Sequence, residues 1–138
     1  MKMNIVVEEG SFIPKRMHKT DAGLDLFANK DKRIKPYGNA TIKTGVHIQL
    51  PKGCCGLLVS KSGLNVNHNI TSTGLIDEGY TGEITVKLYN HGSAWYTVHR
   101  GDKISQLVVL PCMYVETQLV EELEESERGD NGFGSTGR

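Results

Sequence analysis

The chain has 138 residues, a length suited to one domain that buries roughly two-thirds of its unfolded surface. Its sixteen basic and sixteen acidic side chains cancel, so no global field draws it to duplex nucleic acid or to a membrane surface. No apolar run approaches a membrane span, and Cys54, Cys55 and Cys112 form no zinc-ligand pattern, reading instead as reduced, mostly buried thiols of a cytoplasmic protein.

The opening Met1-Lys-Met-Asn-Ile-Val-Val-Glu-Glu turns acidic too early to read as a signal peptide. Asp21-Ala-Gly-Leu-Asp-Leu-Phe27 then sets two carboxylates around a turn. Residues 41–50 alternate, with Ile42, Val46, Ile48 and Leu50 on one face, which predicts a half-buried strand. Ser60-Lys-Ser-Gly-Leu64 follows a short apolar strand and joins a cation, two hydroxyls and a glycine, the makings of a phosphate cradle. Gly74-Leu-Ile-Asp-Glu-Gly-Tyr-Thr-Gly-Glu83 presents an acid, an aromatic ring and a glycine just before a second alternating strand, residues 83–89. Trp95, Tyr96 and His99 read as surface or interface packing, and His18, His47, His68 and His91 lack metal-ligand spacing.

Residues 104–110 form a further apolar strand, oddly interrupted by the polar Gln106. Residues 114–119 read as another strand, and 119–126 as the only helical candidate, ending in an acidic cluster. Short strands punctuated by turns at Lys35-Pro-Tyr-Gly38, Pro51-Lys-Gly53 and His91-Gly-Ser93 indicate an all-β sandwich or jelly roll. The chain divides into a core over 1–120, an acidic spacer over 121–127 and a glycine-rich arm over 128–138. In the arm, Arg128-Gly-Asp-Asn-Gly-Phe-Gly-Ser-Thr-Gly-Arg138 exposes backbone N–H groups beside Ser, Thr and Arg donors, a composition that suits an oligophosphate. It lacks the Gly-Lys-Ser/Thr ending of a P-loop, and Phe133 offers a ring on which a nucleobase could stack.

In this order, Ala22-Gly-Leu-Asp-Leu26, Lys61-Ser-Gly63, Gly74-Leu-Ile-Asp-Glu-Gly-Tyr80 with Gly82, Gly101-Asp-Lys-Ile-Ser-Gln106 and the arm resemble the trimeric all-β dUTP pyrophosphatase (dUTPase) family, from Ala22 to Gly137. The resemblance implies a distorted jelly-roll barrel with a flexible C-terminal arm, assembled as a homotrimer whose sites are shared between subunits. It implies hydrolysis of dUTP to dUMP and pyrophosphate by water attack on the α-phosphorus, limiting uracil in DNA and supplying dUMP for dTMP synthesis. Asp77 matches the general base, and Gln106 a partner of the catalytic water. Tyr80 matches the ring that excludes a 2′-hydroxyl. Lys61, Ser62 and Gly63 match the phosphate cradle; Thr71, Leu75 and Ile76 lie where the uracil is read, largely by main-chain groups.

In the arm, the resemblance makes Arg128 the γ-phosphate clamp and Phe133 the uracil stack, with Gly134, Ser135 and Thr136 as further binding groups. Asp25 matches an acid that holds a water of Mg2+, itself bound mainly by the triphosphate. Nucleic acid and membrane partners are not implied. Lys61 departs from the usual Arg, Thr71 from the Asn of many relatives (Asn69 being a candidate to compensate), and the stretch from Leu64 to Thr73 is shorter than the usual hairpin. Two other readings share the fold: a nucleotide-gated protein-binding regulator and a dCTP deaminase.

Overall fold

The computed structural model describes residues 1–134, 136 and 137, and almost all of its regular structure is strand. In chain order these elements are β1 (Asn4–Val7), β2 (Leu24–Phe27), β3 (Lys32–Ile34), β4 (Asn39–Gln49), β5 (Cys54–Val59), α1 (Ser62–His68), β6 (Ile70–Ile76), β7 (Glu83–Asn90), β8 (Tyr96–Val98) and β9 (Lys103–Pro111). Seven strands form one antiparallel sheet in the order β1-β4-β7-β6-β5-β9-β2, and β3 pairs with β8 as a separate ribbon. The non-sequential order curls the sheet around one core, as the jelly-roll reading expects. Leu26, Ile34, Ile70, Ile84, Val86, Leu88, Ile104 and Leu107 are fully buried there, each stabilising by about 1.5–3 kcal/mol.

The period-two strands over 41–50, 83–89 and 104–110 all form. Within β4 the buried Thr44 hydroxyl donates to the Ile84 carbonyl at 2.6 Å, so the one polar side chain on that inward row is satisfied. Two expectations fail. Residues 114–119 form no strand: Met113, Val115 and Leu119 stand exposed beyond β9. A strand needs a neighbouring edge, and single-chain packing provides none there.

Nor do residues 119–126 form a helix. Glu121, Glu122, Glu124 and Glu125 would meet at spacings of three and four as like charges, with no apolar face to bury. The helix among the described residues is instead α1, too short for an apolar period to show. Asn69 caps it in the left-handed conformation (φ 56°).

The hairpin of β6 and β7 has an unusual register. The strands pair at Ile70↔Asn90, Thr71↔Tyr89 and Ser72↔Leu88, and pairing then stops. Beyond that point β6 is held only by β5 (Val59↔Thr73 to Gly56↔Ile76), and β7 only by β4. The facing edges of residues 73–76 and 84–87 therefore carry backbone groups with no ladder partner, and a cavity opens between them.

Candidate active site

The sequence-derived site residues fall into two groups within one chain. The first surrounds Asp25 on β2, whose register sets it opposite Gln106 on β9, itself opposite Val59 at the end of β5. Asp25 is only 5% exposed. Lys61 Nζ meets its Oδ1 at 2.6 Å and Lys103 Nζ its Oδ2 at 3.1 Å. Burial, the largest single influence, pushes the Asp25 carboxyl up, but the two lysines together outweigh it and hold the group below its ordinary value. Two ammonium groups around one carboxylate leave the cluster cationic, which suits a polyanion.

Hydroxyls fix the turn that carries Lys61. Ser60 Oγ donates to the Ser72 carbonyl at 3.0 Å and accepts from the Ser72 N–H at 2.9 Å. Ser72 Oγ meets Ser105 Oγ at 2.8 Å, and Ser105 Oγ donates to the Val59 carbonyl at 3.0 Å. Gln106 Nε2 donates to the Ser60 carbonyl at 3.1 Å, so the amide inside the apolar strand braces the same turn. Lys61 follows in extended backbone, and Ser62 and Gly63 open α1 with exposed side chain and backbone.

The second group lines the cavity of about 360 Å³ between the splayed strands, which includes Thr73, Leu75, Ile76, Asp77 and Tyr80 on one side and Glu83 and Lys87 on the other. Tyr80 lies beside the cavity with its hydroxyl donating to the Glu83 carbonyl at 3.0 Å. Three carboxylates stand near the turn, and their partners separate them. Glu83 is engaged by Lys43 at 3.0 Å and by the Gly45 N–H at 2.9 Å. Glu78 accepts from the Gly53 N–H at 2.9 Å and from the Tyr114 hydroxyl. Among the described residues, Asp77 alone of the three has no side-chain hydrogen bond or ion pair, and it is exposed. It is the carboxylate free to work on a water.

The groups are not adjacent. Lys61 follows the end of β5 opposite Thr73, whereas Asp77 follows the other end of β6, beyond Gly56↔Ile76. Three registers separate those ends, about 10 Å along the strand. Thr71 lies in the paired part of the hairpin, at the end away from its turn, with its hydroxyl on His91 Nε2 at 2.7 Å, and does not line the cavity. The arm also stands apart. Arg128 Nε donates to the Asn131 carbonyl at 3.0 Å, and Phe133, Gly134 and Thr136 are exposed; Ser135 lies outside the described residues.

The family model described as dUTPase matches residues 10–137. The chain belongs to the dUTPase family. A deoxyuridine 5′-triphosphate nucleotidohydrolase of Clostridium novyi (strain NT) is 44% identical over 141 aligned residues, covering 98% of this chain and 99% of the relative. The dUTPase of Staphylococcus bacteriophage 80alpha, solved with dUpNHpp, matches with a TM-score of 0.93 at 32% identity over 99% of each chain. A mutant dUTPase from phage phi11 of S. aureus, described with a structural Mg(II) ion, matches at 0.83 and 30% identity, covering 91% of this chain and 100% of its own.

Two glycines of the dUTPase motifs have local reasons in this chain. A Cβ on Gly23 would lie 2.9 Å from Gln106 Cβ, so only glycine lets Gln106 pack there. A Cβ on Gly82 would lie 2.5 Å from the Tyr80 hydroxyl, so the glycine leaves room for the ring. Sequence reasoning gave Lys103 no role, although it lies within the Gly101-Asp-Lys-Ile-Ser-Gln106 motif. Its contact with Asp25 was the missing signal, and only the β2–β9 register reveals it.

Proposed function

We propose that this dUTPase hydrolyses dUTP to dUMP and pyrophosphate, limiting uracil in DNA and supplying dUMP for dTMP synthesis. The observation that carries the reading is the splayed hairpin. Main-chain groups without ladder partners face a cavity that Tyr80 and Asp77 also line. A pyrimidine inserted there replaces the missing ladder, its N–H and carbonyl groups meeting backbone acceptors and donors. Cytosine exchanges donor for acceptor at two positions and leaves buried backbone groups unpaired. Tyr80, tied to the Glu83 carbonyl, lies where deoxyribose fits and a 2′-hydroxyl collides.

Asp77 takes a proton from the attacking water as its oxygen bonds to the α-phosphorus. The bond from that phosphorus to the bridging oxygen breaks, and pyrophosphate leaves with the electron pair. Gln106 orients the same water and a phosphate oxygen. Lys61, Ser62 and the Gly63 backbone cradle the phosphates. Arg128, Gly134, Ser135 and Thr136 clamp the γ-phosphate, and Phe133 stacks on the uracil. The about 10 Å between the Asp77 and Lys61 ends supports a homotrimer in which one chain lends Asp77 and Tyr80 to the cradle of a second. A third supplies the arm, whose exposure in the single chain fits this division.

Magnesium fits the donor set in one way. Among the described residues no three His, Cys, Asp or Glu side chains gather as ligands, and both Asp25 oxygens already face ammonium groups. Such a set suits an ion carried by the triphosphate, with Asp25 reaching it through water. When bound, Mg2+ neutralises phosphate charge. No helix among the described residues is long and apolar enough to cross a membrane. We place the enzyme in the cytoplasm, where thiols such as Cys54, Cys55 and Cys112 stay reduced.

The test is pyrophosphate release with Mg2+ from dUTP, dCTP, dTTP and UTP. Release from dUTP alone supports the reaction, the base reading and the Tyr80 filter together. Equal release from dCTP or dTTP overturns the hairpin as uracil reader, and release from UTP overturns the role of Tyr80.

A further inference from the structure

The neutral total charge conceals a separation. Residues 1–115 hold fourteen of the sixteen basic side chains and nine of the sixteen acidic ones, leaving a body of +5 against a tail of −5. Part of the excess lies on the β3–β8 ribbon, where Lys30, Lys32, Arg33 and Lys35 accompany the single acid Asp31, and all five are exposed. The chain's one tryptophan, Trp95, lies beside it, 57% exposed, with the Arg33 guanidinium 4.5 Å from its ring centre.

Trp95 also lines a cleft of about 220 Å³, together with Asn67, His68, Asn69, Ser93 and Tyr96. His68 and Tyr96 form an aromatic pair at 5.3 Å. Amide donors and acceptors beside aromatic faces, rimmed by cations, match the needs of one base with its phosphate. The two non-glycine residues at positive φ among the described residues, Tyr37 (55°) and Asn69 (56°), flank the same loop. Asn69 O accepts from His91 N, and Tyr37 N donates to Gly92 O. Tyr37 is 76% exposed, in a conformation that an aromatic residue rarely adopts. Apart from Asn69, named above as a candidate to compensate for Thr71, no part of the hydrolytic site uses these residues.

We propose that the Trp95 cleft and the β3–β8 ribbon bind single-stranded nucleic acid, one base entering the cleft against the indole and the flanking phosphates lying along Arg33, Lys35 and Lys32. Overall neutrality argued against a duplex partner. A local stripe of cations with aromatic stacking is instead the single-strand pattern, in which every base has a face to offer. The competing occupant is an acidic peptide, such as the glutamate-rich segment 121–127 of another copy. It would satisfy the cations and leave the aromatic and amide groups of the cleft without a purpose.

The probe is the intrinsic fluorescence of Trp95 in the full chain, titrated with ten-residue oligo(dA) and oligo(rA), both free of uracil. We expect quenching that weakens with salt, log Kd changing by about 2–3 per decade for three to four phosphates. By anisotropy of a labelled oligonucleotide, Trp95→Ala should lose about tenfold in affinity. The double variant Arg33→Ala, Lys35→Ala should lose salt-dependent binding, with dUTP turnover unchanged in both. A preference between the two oligonucleotides assigns the source as DNA or RNA. Absence of quenching at low salt, equal quenching by poly-glutamate, or undiminished binding by the variants overturns the proposal.

Discussion

Replacing Asp25 by Asn should destabilise the protein by about 2 kcal/mol at neutral pH. Removing one partner of a buried ion pair costs about 3–5 kcal/mol because the remaining charge is left uncompensated. Here the lysine side chains that would be stranded, Lys61 and Lys103, are 25% and 36% exposed, so water recovers part of that loss. The asparagine carbonyl still accepts from one of them. For a chain of this length the result is a fall in Tm of about 6–8 °C at equal protein concentration.

The pH dependence sharpens the test. The folded-state pKa of Asp25 is depressed because the combined lysine contacts exceed the effect of burial. Its stabilisation is therefore present above the unfolded value near 3.8 and is lost as pH falls through the lower folded value. Asparagine has no such loss, so the Tm gap between the two proteins should close below pH 3.8. Thermal unfolding followed by circular dichroism at several pH values measures this directly. A gap under about 2 °C at neutral pH, or one that persists unchanged into acid, would refute the account of Asp25 as an ionised, doubly paired anchor.

Asp77→Asn should keep dUTP binding and lose turnover by about 10²–10⁴-fold or more; turnover near the parent rate would remove Asp77 from the role of base. A chain ending at Glu127 should retain the sheet's circular dichroism spectrum yet hydrolyse dUTP barely at all, and a full rate would rule out the arm as a clamp. Lys61→Arg should lower KM, because a guanidinium fork meets phosphate and Asp25 oxygens in pairs; an equal or higher KM would show that the Ser60 turn is shaped for an ammonium. Gly23→Ala, which places a methyl 2.9 Å from Gln106 Cβ, should reduce kcat while the chain stays folded. An unchanged kcat would mean that the Gln106 position does not matter to the reaction.

Most of the strand structure was legible because alternation is local. Each inward Ile, Val or Leu of β4 and β7 lies two residues from the next inward side chain, whatever the partner strand. The arm's donors and its aromatic ring were likewise evident from residue types, and the motif order carried the family. Residues 114–119 show the limit of such reading: their pattern is that of a strand, but strand formation requires an edge supplied from elsewhere. α1 shows the reverse, a helix of seven residues whose length hides any period.

Tertiary structure alone decided three matters. It set Lys103 on Asp25, split β6 from β7 after Ser72↔Leu88 to open the cavity, and held Asp77 a strand's length from Lys61. Each depends on register between strands distant in sequence, which no local pattern encodes. Side-chain periodicity says which face a residue occupies; only the pairing of whole strands says which residues share it.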